Sequence, residues 1–113
     1  MKDGFIKCAV ASAQVKVADC LFNTQTVLQL MRQAEKEQVR LLVLPELVTS
    51  SYTCADLFLQ QSLQTGCLEA VAAIVEESKD CELLLVFGSA LVVEGNLYNC
   101  AVVVHKGVIL GVV

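Results

Sequence analysis

The sequence predicts an α/β domain whose sheet begins parallel and ends antiparallel, with its elements in the order β-α-β-α-β-β-β. Three observations lead to this prediction. Two short apolar runs flank a helical pattern in the first 45 residues, a second helical pattern follows, and three strand-like runs with tight turns occupy residues 82–113. With 113 residues, of which 56% are hydrophobic and 18% charged, the chain has the size of one domain and is too apolar for a disordered segment.

The first half of the chain predicts a β-α-β unit with a right-handed connection. Residues 5–13 are apolar, with small side chains and a single charge, which is typical of a buried strand. The helix that follows could be capped by Asp19 or by Asn23. Residues 41–44 form a continuous apolar run that Pro45 ends, as expected for a parallel strand covered on both faces. The apolar face of the helix contains Val27, Leu28, Met31 and Ala34.

The next segment is irregular before helical spacing returns. Residues 48–59 are rich in Ser and Thr, and Asp56 could cap a short helical turn there. Residues 62–78 have the spacing of a second amphipathic helix. Its apolar face contains Leu63, Cys67, Ala70, Val71, Ile74 and Val75.

The last third of the chain predicts three consecutive strands joined by hairpins. The strand-like runs cover residues 82–93, 97–104 and 108–113. Residues 94–96 and 106–107 separate them, and both segments contain a glycine and are short enough for hairpin turns. These strands therefore add an antiparallel part to the sheet.

Charge and hydropathy exclude several classes of partner. The net charge is −4, and the eight Lys and Arg residues are scattered singly, so we expect no nucleic-acid partner. No apolar run reaches the roughly 18 residues of a membrane helix, and no apolar segment of a secretory signal follows the N-terminal charges. We therefore expect a cytoplasmic protein with no membrane partner. Gly88 and Gly111 indicate bulges or close packing within strands instead of a phosphate-binding loop.

The cysteine pattern is typical of reduced, buried thiols. No pair has the C-x-x-C spacing, and most of the cysteines lie inside apolar runs, so we expect neither disulfides nor a metal site. A nucleophilic cysteine would require a nearby base. His105 is the only histidine, and it is predicted to lie in a solvated turn. The six cysteines are Cys8, Cys20, Cys54, Cys67, Cys81 and Cys100.

The amount of apolar sequence is large for a domain of this size. Such a domain buries only about two-thirds of its surface, and residues 107–113 form an apolar strand with no polar tail. Because an uncovered apolar strand favours aggregation, we expect this sequence to be cut from a longer protein. The alternative is a complete small protein that buries this strand in a dimer.

Residues 44–47 contain the most informative carboxylate of the sequence. Glu46 follows directly after a predicted strand, at the end where open α/β sheets hold their sites. Partial burial in a crevice would make it a plausible general base, whereas a solvated loop residue or a turn cap is the alternative that spacing alone favours. From the residues alone, Asp56 is a helix cap, and Tyr98 and Asn99 serve packing and turn hydrogen bonds.

Several motifs resemble the carbon–nitrogen hydrolase (nitrilase) superfamily. They are LLVLPEL at residues 41–47, SSYTCADLFLQQ at 50–61 and VFGSALVVEGNLYNCAVVVHKGVILGVV at 86–113. The YTCADLF and LYNCAVV segments are similar to the glutaminase domains of bacterial glutamine-dependent NAD(+) synthetases. The string AxAQxxVxDxxxN also fits the superfamily, here as Ala11, Ala13, Gln14, Val17, Asp19 and Asn23.

The resemblance implies an α-β-β-α sandwich, with residues 1–113 as the N-terminal portion of a single hydrolase domain. It also implies a Glu-Lys-Cys triad, in which Glu46 matches the general base. Tyr52 matches an aromatic residue that lines the glutamine pocket. The family's Lys and Cys are expected beyond this sequence, so Lys106 and Cys54 do not match them. With one triad member of three, we expect residues 1–113 alone to be inactive.

The resemblance further implies a substrate and a place for the product. Glutamine would be hydrolysed, and its ammonia would pass to a synthetase domain, absent here, that amidates deamido-NAD with ATP and Mg²⁺. No cofactor is expected in this piece, and the full-length form is expected to be a homo-oligomer. Two alternatives remain open: a fragment of a stand-alone amidase or nitrilase-like hydrolase, and a non-catalytic α/β module that dimerises through its terminal strand.

Overall fold

A computed structural model describes residues 4–113. The described residues form one mixed sheet and two α-helices, as the sequence predicts. Two 3-10 turns, at Ala55–Leu59 and Ser78–Asp80, flank the second helix. The strands and helices are β1 Cys8–Val10, α1 Cys20–Lys36, β2 Leu41–Val43, α2 Gln61–Glu77, β3 Leu84–Val93, β4 Asn96–His105 and β5 Val108–Val112.

The five strands lie side by side in the order in which they occur in the chain. β1, β2 and β3 run parallel, and β3, β4 and β5 run antiparallel. The predicted change from parallel to antiparallel pairing is therefore confirmed, and it falls on β3. This strand is ten residues long and belongs to both parts of the sheet.

The main core lies between the sheet and the two helices. Val27 and Met31 of α1 and Ile74 of α2 are fully buried, and they pack with Leu85 and Phe87 of β3. Because side chains alternate along a strand, one face of β3 supplies this core. The predicted apolar faces of both helices are thus the faces that pack.

The first strand is shorter and more exposed than the sequence predicts. The predicted buried strand at residues 5–13 is wrong, because β1 has only three residues and Val10 is 83% exposed. β1 pairs with β2 alone, at the edge of the sheet. Ala9 packs against the core, whereas Cys8 and Val10 are exposed. An apolar run therefore did not indicate burial on both faces here.

Of the residues predicted to cap helices, one does so. Asp19 is the N-cap of α1, and its carboxylate accepts a hydrogen bond of 3.0 Å from the Phe22 amide. Asn23 lies inside the helix. The prediction that Asp56 caps a helical turn is wrong. Cys54 is the N-cap of the 3-10 segment, and Asp56 lies within its first turn.

Two-residue turns join the last three strands. Glu94 and Gly95 have φ values of 51° and 81°, and Lys106 and Gly107 have values of 47° and 81°. Two successive residues of positive φ are the pattern of a type I′ turn, whose twist matches that of the strands. Both hairpins are therefore where the sequence predicts them.

The bulge expected near Gly111 is present. Val103 pairs with Gly111, but the next residue, Val104, pairs with Ile109. Leu110 is therefore an extra residue between the two pairs, which is the definition of a β-bulge.

Candidate functional site

Glu46 lies just past the carboxyl end of β2, beside β3, the strand at which pairing changes from parallel to antiparallel. Leu44 continues the ladder, since its amide donates to the Val86 carbonyl at 2.8 Å. Pro45 then ends the strand because it has no amide hydrogen to donate. Within residues 4–113 the Glu46 side chain is exposed. The partial burial that would favour a general base is therefore absent from this part of the chain.

Asn99 of β4 holds the Glu46 carboxylate. Its Nδ2 donates to Glu46 Oε1 at 2.5 Å, across 53 positions of sequence. Sequence reasoning placed Asn99 in packing and turn hydrogen bonds, and this assignment is wrong. The one available signal was its place in the LYNCAVV segment that carries the family resemblance.

Gly88 lets the glutamate segment cross β3 in close contact. A Cβ atom on Gly88 would lie 2.4 Å from the Leu47 nitrogen and 2.7 Å from the Glu46 Cα. The Gly88 amide also donates to the Pro45 carbonyl at 3.3 Å. The close packing expected at Gly88 is therefore present, and it fixes the backbone that carries Glu46.

The loop after Glu46 contains three non-glycine residues in the left-handed region. Leu47, Ser51 and Ala55 have φ values of 52°, 77° and 50°. Such residues are uncommon, and each costs free energy that the surrounding structure must offset. Leu47 is buried, and its carbonyl accepts from the amides of Ser50 and Ser51 at 3.2 and 2.9 Å. Backbone strain of this kind is concentrated at functional sites.

A buried polar cluster lies under the same loop. Thr49 Oγ1 and Ser89 Oγ share a hydrogen bond of 2.8 Å, and Thr49 Oγ1 also donates to Cys67 Sγ at 3.6 Å. Cys67 Sγ is 4.0 Å from Cys20 Sγ. We call Cys20, Thr49, Cys67 and Ser89 the buried cluster. It joins both helices, the loop and β3.

The two thiols of the buried cluster differ in acidity. The hydrogen bond from Cys20, followed by those from Thr49, Ser89 and Ser50, lowers the pKa of the Cys67 thiol, against the effect of burial. The same thiol–thiol hydrogen bond, together with burial, raises the pKa of Cys20. Cys67 is therefore the more acidic of the two thiols.

Asn23 ties the buried cluster to the start of α1. Its side chain is fully buried. It accepts from the Lys16 amide at 2.7 Å, and it donates to the carbonyls of Lys16 and Thr49 at 2.9 and 3.1 Å. Asn23, which the sequence offered as a possible helix cap, instead joins two loops by hydrogen bonds, and we call this arrangement the Asn23 clamp.

The remaining candidates are distributed around this site. Tyr52 is 69% exposed in the loop that follows Glu46. Cys54 is buried and donates to the Ser50 carbonyl at 2.9 Å, which makes it a packing residue. Lys106 lies in the β4–β5 turn, as predicted, and pairs with Glu82 at 3.1 Å.

Histidine and cysteine do not form a nucleophilic pair in the described part of the chain. His105 is the last residue of β4 and half-buried, not solvated in a turn as predicted, and its Nε2 lies 3.2 Å from the Glu82 carbonyl. All six cysteines are free thiols, and five are buried. The expected burial is wrong for Cys8, which is exposed.

A separate cavity lies away from Glu46. It has a volume of about 650 Å³ and lies between the start of α1 and the first half of α2. Glu46 is not among the residues that line it. Within residues 4–113 no group of three or more His, Cys, Asp or Glu side chains could hold a metal ion. Neither helix of this part has the length and apolar character needed to cross a membrane.

A comparison against protein families finds a match that spans nearly the whole chain. The model of the carbon–nitrogen hydrolase family matches residues 7–112. The chain belongs to the carbon–nitrogen hydrolase family. The chain is 37% identical over 109 residues to a glutamine-dependent NAD(+) synthetase of Mycobacterium leprae. That match covers 96% of the chain and 16% of the relative, so the chain spans about a sixth of that relative's length.

Two solved structures are similar to this chain. The glutamine-dependent NAD+ synthetase of Acinetobacter baumannii is similar with a TM-score of 0.81 and 33% identity, over 92% of this chain and 20% of that one. An amidase of the nitrilase superfamily from Nesterenkonia has a TM-score of 0.84 and 17% identity, over 96% and 42% of the two chains. The second similarity supports the nitrilase-type fold, which confirms the predicted fold class.

Proposed function

We propose that this chain is part of a glutamine amidotransferase that supplies ammonia for the amidation of deamido-NAD. The relatives carry this proposal, because the matched synthetases of M. leprae and A. baumannii are glutamine-dependent and align with more than nine-tenths of the chain. The position of Glu46 supports it. A carboxylate past the end of a central parallel strand, on a strained and tightly packed loop, is suited to hold a proton at a fixed place.

In the proposed reaction Glu46 is the general base. It would take the proton of a cysteine thiol as the thiolate attacks the glutamine side-chain amide, and return that proton to the departing ammonia. A lysine would stabilise the oxyanion of the tetrahedral intermediate. Both partners would come from sequence that follows residue 113 in the family pattern. Residues 1–113 alone are therefore proposed to be inactive, and Tyr52 is proposed to line the glutamine pocket.

The second half of the proposed activity belongs to another domain. A synthetase domain would use ATP and Mg²⁺ to activate deamido-NAD and would receive the ammonia. No step proposed for Glu46 involves these groups. We propose that the full-length protein acts in the cytoplasm as a homo-oligomer, since exposed apolar residues such as Val10 and Val108 leave surface for further chain or a second copy.

The test uses the full-length protein that contains this sequence. Glu46→Gln keeps the shape of the side chain and removes its basicity. We expect glutamine-dependent NAD synthesis and ammonia release from glutamine to fall at least a hundredfold, as removal of a general base does. Synthesis from added ammonium should remain at the level of the unchanged protein.

Glu94→Gln is the matched control, because Glu94 is an exposed carboxylate in the β3–β4 turn. It should leave both activities unchanged. Normal glutamine hydrolysis by Glu46→Gln would contradict the assignment of the base. Hydrolysis of other amides without any synthesis from ammonium, ATP and deamido-NAD would instead favour a stand-alone amidase.

A further inference from the structure

We propose that Asn99 is a positioning residue that orients the Glu46 carboxylate for proton transfer; this inference rests on the proposed function. The two residues come from different parts of the sheet, β4 and the loop after β2, and meet through the 2.5 Å hydrogen bond from Nδ2 to Oε1. A carboxylate accepts hydrogen bonds and cannot donate them, so the amide must present its NH₂ group. The bond is therefore directional.

The backbone around Asn99 is held on both sides. Asn99 pairs with Ala90 of β3. Two residues further on, Ala101 exchanges two hydrogen bonds with Val113, of 2.8 and 2.9 Å. The next residue, Cys100, is buried and fixes which face of β4 each side chain takes. Asn99 thus extends from a rigid strand, whereas Glu46 extends from a loop.

The hydrogen bond to Oε1 leaves Oε2 as the free proton acceptor of Glu46. With Oε1 held by Asn99, Oε2 remains to accept a proton from an incoming thiol. A glutamate without this bond would sample several rotamers, each of which places its oxygens differently. Since reactive groups must approach within about 3–3.5 Å with their orbitals aligned, the fixed rotamer favours reaction.

A purely structural role for this hydrogen bond is poorly supported. Both side chains are exposed, so water can replace either partner when the other is removed. The bond should therefore contribute little to stability, and its loss should be visible in catalysis. The contrast with the buried cluster is direct, since a buried donor or acceptor there cannot turn to water.

The experiment compares Asn99→Ala and Asn99→Asp with Asn96→Ala in the full-length protein. Asn96 lies on the same strand, is exposed, and forms the last pair before the turn, with Val93, so it controls for a lost carboxamide. We expect Asn99→Ala to lower kcat for glutamine hydrolysis about tenfold to a hundredfold, the scale of a misplaced reacting group. The KM for glutamine, synthesis from ammonium and the Tm should stay unchanged.

The division of the effect between kcat and KM gives a readout that a structural role would not produce. A misplaced base slows the chemical step and leaves the binding of glutamine intact, so Asn99→Ala should lower kcat at an unchanged KM. Asn99→Asp has nearly the same shape but removes the donor and presents a second negative charge to Glu46, so it should lower kcat further. Asn96→Ala should match the unchanged protein in both constants.

The outcomes separate this inference from the proposed function. If Glu46→Gln abolishes hydrolysis while Asn99→Ala keeps its kcat, the positioning role is wrong and the function stands. If Glu46→Gln retains hydrolysis, the proposed function itself fails. A fall in Tm of Asn99→Ala that accounts for the lost activity, with kcat per folded enzyme unchanged, would show a structural role and would also overturn the inference.

Discussion

The segment that follows β2 takes part in two polar clusters of opposite character. Glu46 and Asn99 form an exposed pair, and each retains hydrogen-bonding capacity toward solvent. Three positions later, Thr49 enters the buried cluster, where it bonds to Ser89 and Cys67. Among the described residues no buried side-chain nitrogen or oxygen is left without a hydrogen-bond partner.

The difference shows how one loop can serve stability and chemistry together. A satisfied buried cluster resists change, because removal of one partner leaves the other without water or protein to bond to. An exposed pair can lose its hydrogen bond at small cost to stability, because water replaces the lost partner. The buried cluster therefore fixes the loop, and in the proposed reaction Glu46 acts from that fixed position.

The largest loss of stability is expected at Gly88, which packs against the segment that leads to both clusters. Gly88→Ala would place a methyl group 2.4 Å from the Leu47 nitrogen and 2.7 Å from the Glu46 Cα, both backbone atoms. The glutamate segment must then move away from β3. We expect a loss of unfolding free energy of about 2–3 kcal/mol or more, as for overpacked cores, measured by urea denaturation of this chain. In the full-length protein, glutamine hydrolysis should fall with it.

Gly111→Ala controls for the substitution itself, since no atom lies within 4 Å of the added Cβ. It should change the unfolding free energy by no more than about 0.5 kcal/mol. Equal effects at the two glycines would show that the close approach at Gly88 is relieved without cost.

The next effect concerns the clamp at Asn23. Asn23→Ala removes three hydrogen bonds and leaves the Lys16 amide and the Thr49 carbonyl without this partner. We expect a loss of about 2–3 kcal/mol of unfolding free energy. Gln25→Ala, an exposed position of the same helix, should lose less than about 0.5 kcal/mol. If Asn23→Ala and Gln25→Ala lose similar unfolding free energy, the hydrogen bonds of Asn23 to the two loops contribute little to stability.

A smaller loss of stability is expected when the hydrogen bond between Thr49 and Ser89 of the buried cluster is removed. Thr49→Val keeps the volume and removes the partner of Ser89 Oγ, which retains a bond of 3.3 Å to the Ala90 carbonyl. We expect a loss of about 1–2 kcal/mol, and a second change, Ser89→Ala, should add less than its own single effect. Thr65→Val, on the exposed face of α2, is the control. Strict additivity would mean that Thr49 and Ser89 do not interact.

The smallest effect tests an exposed pair that has no part in the proposed chemistry. The Lys106 ammonium, by its hydrogen bond and then its charge, lowers the pKa of the Glu82 carboxyl. Lys106→Ala should raise that pKa toward the usual range, as observed by NMR titration of the Glu82 side chain. Lys36→Ala removes the same charge elsewhere and should not do so.

The sign of the associated pH dependence follows from the lowered pKa. The stabilisation by Glu82 is present above the carboxyl pKa of the unfolded chain and is lost as the pH falls through the folded value. Because both side chains are exposed and screened, the Tm near neutral pH should scarcely change. A large fall in Tm would contradict the view that exposed pairs in this molecule add little stability.

Much of the fold could be predicted because local patterns agree with it. Helical spacing of apolar residues marks both helices, apolar runs mark β2 through β5, and glycine at the second turn position marks both hairpins. The exception is the first strand. Val10 lies in an apolar run, yet it is exposed, because the run indicates hydrophobicity and not the presence of a covering layer.

By itself the sequence determined the order of the elements and the position of Glu46 after β2, and its motifs resembled the family to which the chain belongs. The first two follow from short-range chemistry: a strand, a proline that ends it and a carboxylate next to it. Only the tertiary structure decided that Asn99 meets Glu46, that Gly88 lies under that loop, and that Thr49 and Ser89 are bonded. These contacts join residues 40 to 53 positions apart, or cross a strand at close range, and no local pattern records which side chains a sheet register brings together.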